Sequence, residues 1–572
     1  MLRSDRDTGR KGWIRRVLAA IGDTWLTSPW RRVVQAVAFA GFVGLFVWVC
    51  WPYGGTDYAR HREAKEQVAA EFFLILDPLV SLSTAIASRS WVWSLASAAM
   101  ILVVCLLIPR GFCGYLCPLG TVIDLFDALV GRRVTRWRLP DDRRGPWMHL
   151  KYYLLAGVLV AALGGVLVSG FVAAIPVVTR AFLFLVKPIQ LGLGRGWYQN
   201  TGFNAGHVVS VLLFLGILGL GLFRRRFWCQ YVCPSGAIFS LGNLFRVSER
   251  KVETSCISCN RCVEVCPFDA IRPDFTTRTA DCTLCQTCGG ACPVHAIKFV
   301  DRWDSRNLKL PDSAPEKQPS RRGFLIGSVT GIGSVLAAKA WGATRHPHPV
   351  RPPGSLPEPQ FLQACIRCGE CFQACPNDVL QPMGFEQGLE GLWTPRVVAD
   401  WAGCASSCNN CGQVCPTGAI RALPMPEKRV ARMGLARVLD TCLPLAGREA
   451  CQLCVDECRA AGYDAIEFQR VHPILDEKGL PVDGSGFLAP VVLADRCVGC
   501  GLCQTRCHAV HVKERRVLEV SAILVEAGPG REDRLAHGSY LELRRQERAA
   551  RESTTGPSTG EESYLPDFLK ER

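Results

Sequence analysis

Cysteine spacing constrains this chain more than any other feature. Of its 30 cysteines among 572 residues, 24 fall into six quartets whose members lie close together in the sequence. Disulfide-rich secreted scaffolds are short chains, whereas thiols at this close spacing suit metals. The pattern therefore predicts thiolate-bound metal centres. The quartets are Cys256, Cys259, Cys262 and Cys266; Cys282, Cys285, Cys288 and Cys292; Cys365, Cys368, Cys371 and Cys375; Cys404, Cys408, Cys411 and Cys415; Cys442, Cys451, Cys454 and Cys458; and Cys497, Cys500, Cys503 and Cys507.

Three quartets follow the spacing C-x2-C-x2-C-x3-C-P, and a fourth differs from it by one extra residue. This spacing is that of bacterial ferredoxins, which bind [4Fe–4S] clusters. The sequence therefore predicts six [4Fe–4S] clusters with all 24 cysteines as ligands. Zinc is the alternative, but structural zinc sites usually join two short knuckles across a longer spacer. The last two quartets have Arg459 and His508 in place of the trailing proline, so we expect a different geometry or potential there.

The ferredoxin rule also predicts how neighbouring quartets combine. In two-cluster ferredoxins the fourth cysteine of each quartet ligates the other cluster. Among the four C-terminal quartets, one arrangement nests the outer quartets around the inner pair, but the spacing leaves that pairing open. For the first two quartets, the rule groups Cys256, Cys259, Cys262 and Cys292 around one cluster, and Cys266, Cys282, Cys285 and Cys288 around the next.

Four stretches, residues 33–51, 91–108, 152–172 and 207–223, are long and apolar enough to cross a lipid bilayer as helices. A buried helix of a soluble protein is the alternative for any one of them. The net charge of +15 does not indicate nucleic acid binding, because the basic residues cluster beside these spans. Eight Lys and Arg residues precede the first span and eight separate the second from the third, against four and three in the other connections. The positive-inside rule places both ends of this bundle in the cytoplasm.

The membrane module repeats internally. Each half contains a span, an apolar segment with a charged residue before proline, a second span, an Arg-rich edge and a C-x3-C-P motif. Two halves of equal orientation predict a pseudo-two-fold axis along the membrane normal. This axis would bring together the two cysteine pairs at the cytoplasmic face, where they could hold another metal centre, act as redox thiols or merely pack. These pairs are Cys113 with Cys117, and Cys229 with Cys233.

A second compartment is indicated by Arg321 and Arg322, which precede a modestly apolar, Gly-rich stretch ending at Ala340. Paired arginines before such a stretch are typical of a twin-arginine export signal. We expect a retained fifth span, although Ala338-Lys339-Ala340 has the form of a cleavage site. An ordinary helix in a soluble linker is the alternative.

These features predict an all-α membrane bundle joined to α+β modules of the bacterial ferredoxin type. Residues 251–305 would be cytoplasmic, and residues 346–572 would be periplasmic or otherwise extracytoplasmic. The predicted divisions are a basic cytoplasmic segment (1–32), the four-span module (33–250), a two-cluster domain (251–305), a linker with the signal or fifth span (306–345), a four-cluster domain (346–525) and a polar, disordered tail (526–572).

These motifs also carry a family resemblance. Residues 30–300 resemble the NapH-type membrane ferredoxin of periplasmic nitrate reductase systems, its methylamine-utilisation counterpart and the membrane half of NosR-type regulators. Residues 318–515, which include the Cys442-x8-Cys451 variant, resemble NapG/MauM-type exported ferredoxins. The chain thus resembles a fusion of two partners. The resemblance implies an inner-membrane electron-transfer subunit, possessing quinol dehydrogenase activity, that delivers electrons to an extracytoplasmic redox partner. The alternative is an assembly factor that supports maturation of an extracytoplasmic metalloenzyme or quinoprotein.

How electrons cross the bilayer is not evident from the ligands. The hydrocarbon layer is about 30 Å thick, and no predicted span contains paired histidines for haem. A quinone from the membrane pool, bound between the two halves near the apolar segment 72–86, is our hypothesis for the bridge. Neither the terminal acceptor nor the direction of flow follows from the sequence.

Overall fold

A computed structural model describes residues 27–50, 71–131, 149–194, 196–304, 320–342, 348–474 and 485–554, together with the isolated positions 134, 308, 476 and 482. The predicted basic segment 1–32 therefore lies mostly outside the described residues. So do most of the linker 306–345 before its helix and the end of the tail beyond residue 554.

The bundle consists of helices from both halves of the repeat. Among the described helices, three are long and apolar enough to cross a membrane, namely Pro29–Trp48, Ala174–Gly194 and Ala205–Phe223. Three shorter apolar helices accompany them. We number the principal helices α1 (Pro29–Cys50), α2 (Pro78–Ser88), α3 (Ser94–Leu107), α4 (Pro118–Phe126), α5 (Leu150–Leu163), α6 (Ala174–Gly194), α7 (Ala205–Phe223), α8 (Pro234–Gly242) and α9 (Arg321–Gly342).

The predicted spans 33–51 and 207–223 correspond to α1 and α7. The predicted span 91–108 is the 14-residue α3. The predicted span 152–172 is interrupted, because α5 ends at Leu163 and Gly165 adopts a φ of 80° before the short helix Ser169–Val172. Positive φ is readily accessible to glycine, which explains why the chain turns there.

Helix α6 was missed by the sequence prediction, because its charged residues lower the local hydropathy. The structure shows that these charges have partners inside the protein. Buried Arg180 donates from Nη1 to the carbonyl oxygens of Gly170 (2.6 Å) and Arg367 (2.7 Å). Lys187 donates from Nζ to the carbonyl oxygen of Phe372 at 2.7 Å. Buried charge is tolerated when it is hydrogen-bonded, so an apolar helix can carry both residues.

Two Cys-rich units follow the bundle in the chain. The first Cys-rich unit (248–304) pairs strands β1 (Ser248–Val252) and β2 (Ile297–Asp301) antiparallel around helices Arg261–Glu264 and Thr287–Ala291. The second Cys-rich unit (348–554) contains three further antiparallel pairs: β3 (Leu380–Pro382) with β4 (Pro395–Val397), β5 (Leu435–Val438) with β8 (Ile523–Glu526), and β6 (Ile466–Val471) with β7 (Phe487–Val492). Its helices are Glu358–Ala364, Glu370–Gln373, Gly388–Gly391, Asn410–Gln413, Met425–Val430, Leu453–Ala460, Leu502–Cys507 and Tyr540–Thr554.

The two Cys-rich units pack at opposite ends of the bundle, as α7 shows. Before its first turn, Asn204 donates from Nδ2 to the Pro382 carbonyl of the second unit at 2.6 Å. Just past its last turn, Arg225 donates to the Glu264 carbonyl of the first unit at 3.4 Å. With 19 residues, α7 is about 28 Å long at 1.5 Å per residue. That length matches the hydrocarbon layer.

Helix α1 likewise has one Cys-rich unit at each of its ends. Ser28, next to its start, shares a 3.0 Å hydrogen bond with Thr287 of the first unit. Near its other end, the Phe46 carbonyl accepts from Gln373 of the second unit at 3.1 Å. The main hydrophobic core of the bundle also continues into the second unit, where it includes Ile366.

Helix α9, which follows the paired arginines, packs tightly along α5. The two backbones meet at glycines, and a Cβ on Gly327 would lie 2.4 Å from the Tyr153 carbonyl oxygen. A Cβ on Gly331 would lie 2.5 Å from the Gly157 carbonyl oxygen. Such close approach of two helices requires residues without side chains. The predicted fifth span is therefore a helix that packs against the bundle.

The tail differs from the disorder predicted for 526–572. Helix Tyr540–Thr554 packs on helix Met425–Val430, and Tyr540 has no exposed surface. The prediction was wrong for residues 526–554, because charged composition was taken as a sign of disorder. Those charges have tertiary partners, such as Arg534 with Glu358 and Arg544 with Asp533.

Candidate cluster sites

The first Cys-rich unit brings its eight cysteines together in two groups. One group lines a single cavity between β1 and helix Arg261–Glu264, and the second lies deeper, beside Phe268 in the core of the unit. In each group the fourth thiol comes from the other quartet, as the ferredoxin rule predicts. The groups are Cys256, Cys259, Cys262 and Cys292, and Cys266, Cys282, Cys285 and Cys288.

The second Cys-rich unit combines its quartets in sequential pairs. The nested arrangement considered from the sequence is therefore wrong. Strands β3 and β4 fold the third quartet back onto the fourth, and β6 and β7 do the same for the fifth and sixth. The four groups are Cys365, Cys368, Cys371 and Cys415; Cys375, Cys404, Cys408 and Cys411; Cys442, Cys451, Cys454 and Cys507; and Cys458, Cys497, Cys500 and Cys503.

Four of the six cysteine loops share one backbone conformation. In each, the residue two places after the first cysteine and the residue after the second cysteine have positive φ. Successive turns of this kind form concave nests of N–H groups that bind anions, including iron–sulfur clusters. We call these the regular loops. The residue pairs are Ser258 and Asn260, Leu284 and Gln286, Arg367 and Gly369, and Gly499 and Gly501.

The other two quartets, with spacings x3 and x8 between their first two cysteines, form what we call the irregular loops. The residue after their second cysteine is Asn409 or Gln452, with a φ of −132° and −128°. One irregular loop has a side-chain partner that the sequence did not reveal. His511 places Nε2 3.4 Å from the sulfur of Cys451. Hydrogen bonds to ligand sulfurs tune cluster potentials.

The crossing cysteines also receive backbone hydrogen bonds. Four of the six fourth cysteines accept an N–H at 3.2–3.4 Å, which suits a sulfur that carries negative charge. These acceptors are Cys266 from Ala270, Cys415 from Ile420, Cys458 from Ala465 and Cys507 from Ala522.

The thiols of these groups fit an iron–sulfur cofactor. Burial raises the pKa of Cys282 and Cys500 to about 12, so neither would ionise at neutral pH by itself. A bound metal deprotonates a coordinating thiol outright. In the described part of the chain, no three His, Cys, Asp or Glu side chains converge closely enough for a single metal ion. Three of the cysteine groups line cavities instead, which suits a group of several atoms.

The two C-x3-C-P motifs meet inside the bundle, as the pseudo-two-fold axis predicts. Each motif begins as a π-helical turn, Phe112–Leu116 or Trp228–Val232, and its second cysteine is extended. The proline then begins α4 or α8. We call Cys113, Cys117, Cys229 and Cys233 the four-thiol group, because hydrogen bonds from Arg110 to the Cys229 carbonyl and from Arg226 to the Cys113 carbonyl join the two motifs.

Two carboxylates missed by the sequence analysis bind the Arg-rich edges beside the four-thiol group. Asp124 accepts from Arg226 at 2.7 Å, and Arg31 and Arg32 bind the same carboxylate. Since Arg31 and Arg32 begin α1 and Arg226 follows α7, both ends of the module lie at one end of the bundle. An acidic residue alone in the apolar stretch of α4 was the signal available in the sequence.

Asp281 of the first Cys-rich unit binds the other pair of cationic side chains beside the four-thiol group. It accepts from Arg110 at 3.3 Å and from Lys151 at 2.8 Å. This carboxylate joins the first unit to the bundle at both of its halves.

Three iron–sulfur family models match segments of the chain. A 4Fe-4S binding domain matches twice, at residues 90–136 and 207–253, which confirms the internal repeat. A 4Fe-4S dicluster domain matches residues 364–433, which contain the third and fourth quartets. A further 4Fe-4S binding domain matches residues 250–272. No solved structure matches the chain.

Curated relatives extend these matches. The methylamine utilization ferredoxin-type protein MauM of Methylorubrum extorquens is 36% identical over 210 residues, which are 34% of this chain and 87% of that protein. The ferredoxin-type protein NapG of Escherichia coli K12 is 34% identical over 201 residues, which are 33% of this chain and 82% of that protein. The putative electron transport protein YccM of the same organism is 28% identical over 286 residues, which are 47% of this chain and 73% of that protein.

Proposed function

Because the chain belongs to the family of ferredoxin-type proteins that includes MauM and NapG, an iron–sulfur electron-transfer family, we propose that it relays electrons from membrane quinol to an extracytoplasmic oxidoreductase. One observation carries the proposal. The two Cys-rich units pack at opposite ends of a bundle whose helices α1 and α7 each contact both units. A soluble ferredoxin needs no such bundle between its clusters.

The relay would use six [4Fe–4S] clusters, one in each cysteine group of the two units. Each bound cluster supplies one-electron transfer, and the chain's own residues set the conditions for it. Nests of N–H groups in the regular loops and hydrogen bonds to the crossing cysteines stabilise negative charge on the sulfurs. Burial limits access of water and oxygen.

The membrane orientation follows from charge. Arg31, Arg32 and Arg226 lie together at the end of the bundle that carries the first Cys-rich unit. By the positive-inside rule this end faces the cytoplasm, and the second unit lies outside it. Helix α9 would then be a retained fifth span, since its glycines fit against α5. On this basis the bundle corresponds to a NapH-type membrane ferredoxin, with a relation to the membrane half of NosR, fused to a NapG/MauM-type unit.

Quinol oxidation also needs a proton acceptor near the bundle interior. Asp77 is fully buried at the start of α2, and its carboxylate accepts from the Ser235 hydroxyl at 3.0 Å. It also accepts from the Leu79 N–H at 3.0 Å. We assign Asp77 the role of accepting a quinol proton, in the apolar region 72–86 that we propose for the quinone. Asp77→Asn should then lower quinol-dependent reduction while leaving the iron content unchanged.

Quinol reduction of the purified full chain tests the proposal. Anaerobically purified protein should contain at least about 24 iron atoms per chain, four per cluster, and quinol should reduce part of them, as followed by EPR. A full iron load that quinol does not reduce would favour the assembly-factor alternative. Zinc in place of iron would overturn the proposal.

Topology is tested separately with a C-terminal tag. Protease should remove the tag from spheroplasts but not from intact cells. Protection of the tag in both samples would exclude the extracytoplasmic placement.

A further inference from the structure

The geometry points to a seventh iron–sulfur cluster, held by Cys113, Cys117, Cys229 and Cys233 at the pseudo-two-fold axis of the bundle. The site takes two thiolates from each half of the repeat, so neither half could form it alone. Neither matched segment of the repeat, 90–136 or 207–253, contains any of the six quartets. If both segments bind iron–sulfur, these two cysteine pairs are the ligands that they offer.

The two halves build this site by exchanging arginines. Arg110 of the first half donates from Nη2 to the Cys229 carbonyl at 3.2 Å, and Arg226 of the second half donates from Nη1 to the Cys113 carbonyl at 3.2 Å. Both arginines adopt positive φ, 50° and 51°. A left-handed conformation is unfavourable for any residue other than glycine. Its occurrence at both equivalent positions indicates a shared requirement of the site.

Glycines make room for this exchange. A Cβ on Gly120 would lie 3.4 Å from Nη1 of Arg226, and a Cβ on Gly236 would lie 3.3 Å from Nη2 of Arg110. Each glycine stands three residues after the second cysteine of its motif. The symmetry therefore extends from the thiols to the residues behind them, which simple packing of four cysteines would not require.

Charge around the site suits an anionic cluster. The side chains of Arg110 and Arg226 are buried against the two motifs. Asp281 and Asp124 bind these two arginines and hold them in place. An iron–sulfur cluster bound by four thiolates carries net negative charge, and buried guanidinium groups beside it would stabilise that charge.

The site also lies along a line of contacts that joins the first Cys-rich unit to the second. Gly114 packs on Thr283, and the Tyr115 hydroxyl donates to the Leu284 carbonyl at 2.9 Å, so the motif touches the second cysteine loop of the first Cys-rich unit. On the opposite side, Asp77 connects the site to α2. With 11 residues, α2 is about 16 Å long and contacts helix Glu358–Ala364 of the second unit.

A cluster here would divide the path between the two units. It would accept one electron from a cluster on one side and pass that electron to the other, with no bond made or broken. This relay role rests on the proposed function, but the metal site itself does not.

Native mass spectrometry of the anaerobically purified full chain tests the inference. The wild-type chain should carry seven [4Fe–4S] clusters, and Cys117→Ser combined with Cys233→Ser should carry six, a loss of about one seventh of the iron at four atoms per cluster. Cys105→Ala, which removes a buried thiol of α3 outside the four-thiol group, should retain all seven. Loss in the control as well would attribute the change to packing.

The wild-type chain decides the question even if the double variant fails to fold. Six clusters together with four thiols at these positions that react with an alkylating agent after denaturation would overturn the inference. So would zinc or copper at the site. Six clusters with normal quinol reduction would remove the seventh centre and leave the proposed function standing, whereas seven clusters that quinol cannot reduce would do the reverse.

Discussion

The regular loops of the two Cys-rich units have the same backbone conformation but carry different residues at the left-handed positions. In the first unit, all four left-handed positions of the two regular loops are occupied by residues other than glycine, namely Ser258, Asn260, Leu284 and Gln286. In the second unit, three of the four are Gly369, Gly499 and Gly501. Since each non-glycine residue costs roughly 1–2 kcal/mol in this conformation, the first unit stores more backbone strain. We infer that it depends more strongly on its clusters for folding.

The units also differ in pairing. Both loops of the first unit are regular, whereas each pair in the second unit joins one regular loop to one irregular loop. The spacing of a quartet thus determines its local conformation, while hairpins such as β3–β4 and β6–β7 determine its partner.

Removal of iron should affect the first Cys-rich unit far more than the second. After anaerobic chelation, proteolytic cleavage within 248–304 should become at least about a hundredfold faster than cleavage within 348–474, since about 1.4 kcal/mol corresponds to each factor of ten. The strain of the first unit would no longer be compensated, and its hydrophobic core is smaller. Limited proteolysis followed by mass spectrometry measures both rates. Equal rates in the two units would contradict the strain argument.

A substitution in the contact between α9 and α5 should give the next largest effect. Gly331→Leu should destabilise the packing of α9 on α5 by about 2 kcal/mol or more, because overpacking typically costs 1–3 kcal/mol and a Cβ there would already lie 2.5 Å from the Gly157 carbonyl oxygen. The loss should appear as a lower midpoint temperature of thermal unfolding in detergent.

Gly333→Leu is the matched control for that substitution. It lies on the same helix, and a Cβ there would meet nothing within 4 Å. Equal destabilisation by both leucines would show that α9 is not held by its glycine contacts.

Single substitutions in the regular loops of the two units should change cluster retention in opposite directions. Gln286→Gly should increase cluster retention by about 1 kcal/mol through relief of left-handed strain. Gly501→Ala should decrease it by a similar or larger amount, because φ is 84° and a Cβ would lie 2.7 Å from that of Ala399. The rate of iron release to a chelator measures both.

The irregular loop supplies the control for this pair. Gln452→Gly, at a φ of −128°, relieves no such strain and should bring no gain. An equal gain there would assign the effect of Gln286→Gly to something other than backbone conformation.

The smallest expected effect concerns the irregular loop around Cys451. His511→Leu removes the side chain whose Nε2 lies 3.4 Å from that sulfur. Loss of a hydrogen bond to a ligand sulfur should lower the reduction potential of this cluster alone, by an amount of order tens of millivolts within the wide range open to such clusters. An EPR-monitored redox titration should show the shift, with the remaining signals as internal reference. An unchanged potential would mean that the contact carries no hydrogen bond.

Much of this organisation was predictable from the sequence. Cysteine spacing predicted the crossing pairs of the first unit, and duplication of C-x3-C-P predicted the meeting of Cys113, Cys117, Cys229 and Cys233. Helices α1 and α7 stood where hydropathy placed them. These features depend on local pattern and symmetry, which a sequence displays directly.

What was missed depends on tertiary partners. Arg180 and Lys187 concealed α6, because the carbonyl oxygens that receive their hydrogen bonds come partly from a unit almost 200 residues further along the chain. The tail looked disordered because its charges find partners such as Glu358 far away in sequence. Quartet pairing in the second unit required knowledge of the intervening hairpins.

Electron transfer across a bilayer in purified vesicles would show whether the chain is a transmembrane relay. The full chain would be reconstituted into vesicles with an impermeant reductant inside and an impermeant electron acceptor outside, with quinone in the membrane. We predict that the acceptor is reduced in proportion to the intact chain and that Cys375→Ser, which removes the thiol joining the third and fourth quartets, abolishes this activity. Vesicles with fully iron-loaded wild-type protein that pass no electrons above the protein-free rate would contradict the account.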